Sequence, residues 1–325
     1  LPNGRLSFVY TFFRQGDMDH HPAALHEIHS DDMGENWSAP VCIVKNEGLM
    51  NTMSVSLLML KNGEVALFYL RKHTLHDCKV YMRVSGDNMK TWSTPHCVTN
   101  RPGYHVLNND RVVQLSSGRI VAPVAYHTSE NELGIDMFDL QGRVWCCISD
   151  DNGRSWKRSE TILWGPRGAE SGLQEPGIVE LSDHQLYMWM RTDLGFQYES
   201  VSSDQGETWS GPVPGPLRSP CSSASIKRIP GTHTLVCVWN DHSGKHSYIE
   251  DARAPLCISV SKDNGRSWGE SKLIESSISG WYCYTSMTFI DDELWLSYCA
   301  GDPLSGGLNR LKIIKISCKN LKEHQ

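Results

Sequence analysis

Residues 261–268 read SKDNGRSW, and this is the fifth copy of one pattern in the 325-residue chain. The earlier copies are SDDMGENW at 30–37, SGDNMKTW at 85–92, SDDNGRSW at 149–156 and SSDQGETW at 202–209. We call each copy an Asp box, because serine, aspartate, glycine and tryptophan keep the same spacing. The exception is Met89, which replaces the glycine of the second box. Repeats at intervals of roughly 40 to 60 residues indicate a propeller or a solenoid before any other architecture.

A second repeat runs alongside the boxes. Six segments share a short turn containing Gly, Asp or Asn, followed by an apolar run of strand length. They are LPNGRLSFVYTF (1–12), LKNGEVALFYL (60–70), LSSGRIVAPVAY (115–126), LSDHQLYMWMR (181–191), IPGTHTLVCVW (229–239) and IDDELWLSYC (290–299). Five of these segments follow another apolar strand. Five of them lead through a polar loop to a third strand and an Asp box, and a segment such as VCIV (41–44) supplies the fourth strand. The pattern predicts one all-β domain over 1–325, a six-bladed β-propeller of four-stranded antiparallel blades.

The boxes themselves are interpreted as structural turns. Their Asp and Ser/Thr side chains can bond backbone N–H groups, their glycine can adopt positive φ, and their tryptophan can pack between blades. Because Met89 lacks the freedom of glycine, we expect the second turn to be the most distorted.

The repeat also predicts what surrounds the two ends of the ring. The first unit begins at its second strand, and the last unit has neither a box nor a fourth strand. We therefore expect a β-rich segment of roughly twenty residues upstream of Leu1, since strands average about 5–6 residues, that closes the ring.

Composition narrows the function. A net charge of -6 and a pI near 6.2 disfavour a nucleic-acid partner, and no apolar run reaches the length of a membrane span. LPNGRLSFVY at the start is typical of folded protein rather than of a signal peptide. Eleven cysteines without CxxC pairs predict buried free thiols rather than disulfides or zinc. The histidine-rich stretch HHPAALHEIH (20–29) lacks an HExxH motif, so we expect no metal and no cofactor.

Polar side chains collect at one predicted face. If the box turns lie on the bottom, then the starts of first strands, the ends of second strands and the loops after them lie on top. Those positions hold Arg14, Asp17, Asp19, Arg71, Asn109, Asp110, Arg111, Glu175, Arg191, Asp241, His242, Arg253, Tyr282, Tyr284 and Asp302. A solvated rim would also be polar, but several converging arginines favour a carboxylate or phosphate ligand.

With these motifs the chain resembles the sialidase (neuraminidase) superfamily over essentially its whole length. The resemblance rests on the boxes, on EPGIVELSDHQLYMWMRTD with Glu175 and Arg191, on RAPLCISVSKDNG with Arg253, and on YTSMTFIDDELWLSY with Tyr284. It implies that Tyr284 is the nucleophile, that Glu175 activates it, and that Arg191 and Arg253 bind the substrate carboxylate. The acid/base is then Asp19, with Asp17 as the alternative.

One element of the family pattern is missing from the chain. The first of three family arginines would precede Leu1, and Arg5 lies on the wrong strand to replace it. The tyrosine chemistry is sensible in itself. A sialoside has a carboxylate on its anomeric carbon, which would repel an anionic nucleophile but not a neutral phenol.

The sequence therefore predicts a retaining exo-α-sialidase, a glycoside hydrolase acting on terminal sialic acid of glycans. The alternatives are a related propeller glycosidase or lyase on another acidic sugar, and a non-catalytic glycan-binding propeller. Further candidate substrate contacts are Arg71, Asn109, Asp110, Arg111, His20 and Tyr282, with a structural Asp–Arg pair as the alternative at 110 and 111. The substrate class favours a secreted or periplasmic setting, whereas linkage preference, oligomeric state and the choice between hydrolysis and transfer are not specified.

Overall fold

A computed structural model describes residues 1–14, 19–128 and 139–322, and nearly all regular structure in these ranges is β-strand. The only helix there is the short α1 (Cys318–Lys322). Contacts divide the chain into two compact units. The first holds Leu1–Asp139 with Cys147–Arg158, and the second holds Leu140–Cys146 with Ser159–Gln325.

The first unit begins with a three-stranded antiparallel sheet of β1 (Leu6–Phe13), β2 (Ala23–Ser30) and β3 (Val41–Val44). A nine-stranded sheet follows. Its strands are β4 (Asn51–Met59), β5 (Val65–Thr74), β6 (Asp77–Ser85), β7 (His96–Cys97), β8 (Gly103–Val106), β9 (Val113–Gln114), β10 (Ile120–His127), β11 (Arg143–Ser149) and β12 (Lys157–Arg158).

The second unit contains three antiparallel sheets, of four, four and three strands. The first is β13 (Gln174–Glu180), β14 (Leu186–Arg191), β15 (Phe196–Ser202) and β16 (Val213–Arg218). The second is β17 (Ser225–Arg228), β18 (Leu235–Asn240), β19 (Leu256–Ser261) and β20 (Lys272–Glu275). The third is β21 (Trp281–Ile290), β22 (Glu293–Gly301) and β23 (Leu311–Ser317).

The all-β prediction is confirmed, but the sheets do not separate into six. The strand β8 pairs in parallel with β6 through Asp77 and Gly103, and it pairs antiparallel with β10. It thereby joins the predicted second and third blades into one sheet. The count of six blades and the single-domain assignment stay predictions.

Every Asp box closes through the same hydrogen bonds. The serine hydroxyl accepts the N–H of the residue four positions later at 2.8–2.9 Å and donates to the aspartate at 2.7–2.8 Å. The aspartate in turn accepts the N–H four residues beyond it at 2.9 Å. Hydrogen bonds from the side chain and then the backbone of that residue lower the pKa of Asp32, Asp87 and Asp151 to about 2. The predicted turn chemistry is confirmed.

Two of the box tryptophans pack on apolar clusters that include residues of a neighbouring sheet, and a third packs within its own sheet. Trp92 packs on the apolar cluster that contains Val9 and Leu25, and Trp268 packs on the cluster that contains Val179. The ring of Trp156 meets Phe68 edge-on at 5.9 Å between centroids. Each of these three boxes therefore fixes a turn and a packing contact together.

Burial of the cysteines follows the prediction. All eleven are free thiols, and eight of them are buried in or beside the apolar clusters. Across the described ranges, no helix is both long and apolar enough to cross a membrane.

The expected distortion of the second box is not found. Met89 has φ 66°, in the same left-handed region as the box glycines, and its N–H donates to Ser85 Oγ at 2.9 Å as in the other boxes. The side chain of Met89 is 6% exposed and packs in the cluster of Val9, Leu25 and Val44. Burial of this side chain offsets the backbone strain.

We predict that Met89→Gly lowers the free energy of unfolding by about 1–2 kcal/mol. Removing the buried methionine side chain costs about 1.5–3 kcal/mol, and the greater entropy of glycine in the unfolded chain costs about 0.5–1 kcal/mol more. Relief of the left-handed backbone strain recovers about 1–2 kcal/mol. Urea titration measures the change. The matched control is Met33→Gly, which has φ 57° but is 41% exposed, and it should be neutral or slightly stabilising. A Met89→Gly protein at least as stable as wild type would contradict the argument.

Candidate active site

Left-handed backbone occurs at four residues in or just before the strands β4, β9, β13 and β21. Ser54, Asp110, Glu175 and Tyr284 have φ of 56°, 56°, 46° and 57°, and none is glycine. Three of them fall at breaks in strand register, between Met53 and Val55, Gln174 and Gly177, and Cys283 and Ser286. A bulge re-aims a side chain, and strained non-glycine backbone concentrates at functional sites. Two of the four are the predicted catalytic pair.

Glu175 and Arg191 form an ion pair in the second unit. Gln174 pairs with Arg191 across β13 and β14, and the bulge that follows places Glu175 beside the same guanidinium. The Glu175 Oε1 to Arg191 Nη1 distance is 3.1 Å, with the two side chains 9% and 15% exposed. Burial alone would lower the pKa of Arg191, but the charges of its neighbours, Glu175 above all, raise the pKa overall.

Tyr284 lies against Arg253. The Arg253 guanidinium carbon is 5.4 Å from the centroid of the Tyr284 ring and 5.0 Å from that of Trp281. Burial would lower the pKa of Arg253, but Tyr284, Cys283 and Glu175 raise it above its usual value. Glu175, Arg191, Arg253 and Tyr284 therefore influence one another electrostatically, and the structure brings together four residues that the sequence predicted for one site.

Tyr282 has different surroundings. It is 6% exposed, its ring meets Tyr298 edge-on at 6.5 Å, and burial raises its pKa. Residues two apart on a regular strand face the same way, but the bulge after Cys283 interrupts this alternation in β21. Tyr282 packs in an apolar cluster, whereas Tyr284 meets a guanidinium. A substrate contact by Tyr282 stays a prediction.

Asp19 is exposed in the first unit, and its backbone is held by two buried side chains. The Asp19 carbonyl accepts hydrogen bonds from Asn51 Nδ2 at 2.8 Å and from Lys72 Nζ at 3.1 Å. Lys72 Nζ also lies 2.7 Å from His20 Nδ1. Sequence reasoning missed Asn51 and Lys72, although a lysine beside Arg71 near the end of an apolar strand was a visible signal. Asp17 lies outside the described residues.

Arg71 is engaged by a carboxylate of its own unit. Its Nη2 is 2.5 Å from Glu47 Oε2, and its guanidinium stacks over Tyr81 at 4.0 Å. Glu47 is also bonded by Tyr69 and Arg83. This network accounts for the position of Arg71, and a substrate contact by Arg71 stays a prediction.

Residues Asn109, Asp110 and Arg111 link the loop before β9 to β4. Asn109 Oδ1 accepts the Val55 N–H at 2.9 Å, and the Asp110 N–H donates to the Val55 carbonyl at 3.0 Å. The Arg111 N–H donates to Ser56 Oγ at 2.7 Å, and Arg111 is 2% exposed. These bonds support a structural role, and substrate contacts by the three residues stay predictions.

Among the described residues, one group has donor atoms spaced as in a metal site. One donor atom each from Asp241, His246 and Cys257 lies within 4.8 Å of the others. The Ser271 hydroxyl donates to Asp241 Oδ2 at 2.6 Å and lies 3.1 Å from His246 Nε2. Burial raises the pKa of Cys257 to about 11, so the thiol is neutral at pH 7. Hydrogen bonds through Ser271 account for the grouping.

Comparison with known proteins gives one family model and several curated relatives that match parts of the chain. The family model described as "BNR repeat-like domain" matches residues 9–296. The chain is 28% identical to a sialidase of Micromonospora viridifaciens over 154 residues, 44% of this chain and 21% of that protein. It is 32% identical to an anhydrosialidase of Macrobdella decora over 141 residues, 41% and 16% of the two proteins. It thus spans a minor part of these curated relatives.

Solved structures share the fold. Hadza microbial sialidase Hz136 superposes with a TM-score of 0.77 at 17% identity, covering 98% of this chain and 64% of that one. The intramolecular trans-sialidase from Ruminococcus gnavus gives 0.75 at 15% identity, covering 100% and 94%. At these identities the likeness establishes the propeller-type all-β fold. Because the family model matches most of this chain, residues 9–296, the chain belongs to the BNR repeat-like family of the sialidase superfamily.

Proposed function

We propose that the protein is an exo-α-sialidase, which hydrolyses terminal sialic acid from glycans with retention at the anomeric carbon. The observation that carries the proposal is the group of Glu175, Arg191, Arg253 and Tyr284 in the second unit, in which Glu175 is buried and the other three are half-buried. A ligand for this site must carry negative charge, because two guanidiniums are largely removed from water there and only one carboxylate, Glu175, lies among the four residues. A sialic acid carboxylate has the planar shape that a guanidinium binds with two parallel hydrogen bonds.

The nucleophile follows from charge. An anionic Asp or Glu approaching the anomeric carbon would be repelled by the substrate carboxylate next to it, whereas the Tyr284 phenol is neutral. As the Tyr284 oxygen bonds to the anomeric carbon, its proton passes to Glu175. The guanidinium of Arg253 beside the ring stabilises the phenolate character that develops.

The first displacement also needs an acid, and the second needs a base. Asp19 protonates the leaving oxygen as the glycosidic bond breaks, and it later takes a proton from the water that attacks the glycosyl–tyrosine intermediate. The Tyr284 oxygen then departs and recovers its proton from Glu175. Two displacements at one carbon restore its configuration, which is the retaining outcome.

Tyr284→Phe should reduce kcat on an aryl sialoside by roughly 10³-fold or more, because the ring remains but the attacking oxygen is gone. Binding of the product sialic acid, measured by calorimetry, should survive. The comparison that decides the assignment is Tyr282→Phe, which should remain far more active than Tyr284→Phe. The opposite order of activities would move the nucleophile to Tyr282. Mass spectrometry of the product distinguishes free sialic acid from the anhydro sugar of intramolecular transfer.

Arg253→Lys keeps the charge but loses the planar fork, so KM for the sialoside should rise roughly 10- to 100-fold, equivalent to about 1.5–3 kcal/mol. The same substrate with its carboxylate methyl-esterified should be turned over poorly and alike by both proteins. Arg266→Lys is a matched control, since Arg266 is an exposed residue of the fifth Asp box. An unchanged KM for the acid in Arg253→Lys would remove the carboxylate-binding role.

A further inference from the structure

Two paired residues on neighbouring strands are directed at one backbone atom. Asn51 on β4 and Lys72 on β5 are Cα partners in the strand register, and both are 0% exposed. Their side chains meet at the Asp19 carbonyl, at 2.8 Å from Asn51 Nδ2 and 3.1 Å from Lys72 Nζ. Asn51 Nδ2 also reaches the His21 carbonyl at 3.1 Å. The segment 19–21 is therefore held at two carbonyls by a cross-strand pair.

A buried ammonium group needs compensation. Removing a lysine from water is unfavourable unless its donors are satisfied, and burial lowers the pKa of Lys72. Besides the Asp19 carbonyl, the Lys72 ammonium has His20 Nδ1 at 2.7 Å and the face of Tyr104 at 4.9 Å. When Lys72 is charged, His20 Nδ1 must accept, so the neutral ring carries its proton on Nε2. The lysine thus orders the side chain of His20 as well as the Asp19 backbone.

The backbone beneath the pair is closely packed. A Cβ on Gly48 would lie 2.2 Å from the Lys72 carbonyl oxygen and 2.4 Å from that of Asn51, so only glycine fits there. The Met50 N–H donates to the same Lys72 carbonyl at 3.0 Å. These contacts leave Lys72 and Asn51 little freedom to move away from the Asp19 segment.

The pattern of bonds separates two roles for this lysine. A lysine that served only as a counter-ion would contact the carboxylate of Asp19. Here the bonds go to the backbone carbonyl, which leaves the carboxylate oxygens of Asp19 available to a substrate.

We propose that Lys72 and Asn51 are positioning residues that hold the Asp19 segment so that its carboxyl group can protonate the leaving oxygen. The inference rests on the proposed sialidase function, and it predicts a dependence on the leaving group. An alkoxide needs the proton as the bond breaks, whereas an aryl oxide such as 4-nitrophenolate departs without it. Misplacement of the acid therefore slows only the substrate that requires it.

The experiment compares kcat and KM of wild type, Lys72→Met and Asn51→Leu on 3′-sialyllactose and on 4-nitrophenyl sialoside. We expect kcat on sialyllactose to fall roughly 100-fold, the effect of displacing a catalytic group by about 1 Å, and kcat on the aryl substrate to fall much less. The double variant should lose little more than either single one, because both act on the same carbonyl. Lys79→Met is the control, since Lys79 forms an ion pair with the partly exposed Asp77 at 3.4 Å and should leave both substrates unaffected.

Because Lys72 and Asn51 are buried, unfolding must be excluded by melting curves, and His20→Ala supplies a variant at an exposed residue. Loss of the Lys72–His20 contact should lower kcat on sialyllactose selectively, whereas a mere substrate contact by His20 would raise KM for both substrates. Equal losses on both substrates in the folded variants would overturn the positioning role. A wild-type protein that turns over neither sialoside would instead overturn the proposed function, and the inference with it.

Discussion

The serine–aspartate hydrogen bonds of the Asp box are the constraint on which the rest of the structure depends. One hydroxyl accepts a backbone N–H and donates to the aspartate, which accepts a second N–H further along the turn. Because every bond lies within eight residues, the turn closes without help from distant parts of the chain. In the second box the terminal tryptophan, Trp92, then packs on the cluster that contains Val9 and Leu25 of the neighbouring sheet. A local hydrogen-bond pattern thereby becomes a contact between sheets.

The backbone is strained, rather than relaxed, at the four left-handed residues near the candidate site, Ser54, Asp110, Glu175 and Tyr284. A non-glycine residue in the left-handed region costs about 1–3 kcal/mol and persists only where surrounding contacts fix it. On β21 such contacts lie just beyond the bulge, where Ser225 Oγ donates to the Thr285 carbonyl at 2.6 Å and Lys227 Nζ to that of Met287 at 2.7 Å. The strain at Tyr284 is what brings its ring to Arg253 while Tyr282 stays in the core.

Buried cations are used in three different ways in this chain. Arg71 shares the carboxylate of Glu47 with Arg83, and this network holds the guanidinium in place. Arg191 pairs with Glu175, and Arg253 lies beside the rings of Trp281 and Tyr284. Lys72 donates to the backbone next to Asp19 and so acts on geometry. The residue type alone did not distinguish these uses, because each depends on which acceptor the fold places nearby.

The sequence alone determined the features that short-range chemistry controls. The box turns, the strand hairpins and the free cysteines follow from spacing and polarity, and the resemblance identified Glu175, Arg191, Arg253 and Tyr284, which the structure groups in one unit. Tertiary structure decided the features that depend on pairing between distant segments. Those features are the joining of two predicted blades through β8, the turn at Met89 that burial keeps regular, the separation of Tyr284 from Tyr282 by a bulge, and the grip of Asn51 and Lys72 on Asp19. A register shift or a buried cross-strand contact leaves no periodic signal in the sequence, because it arises only when two segments meet.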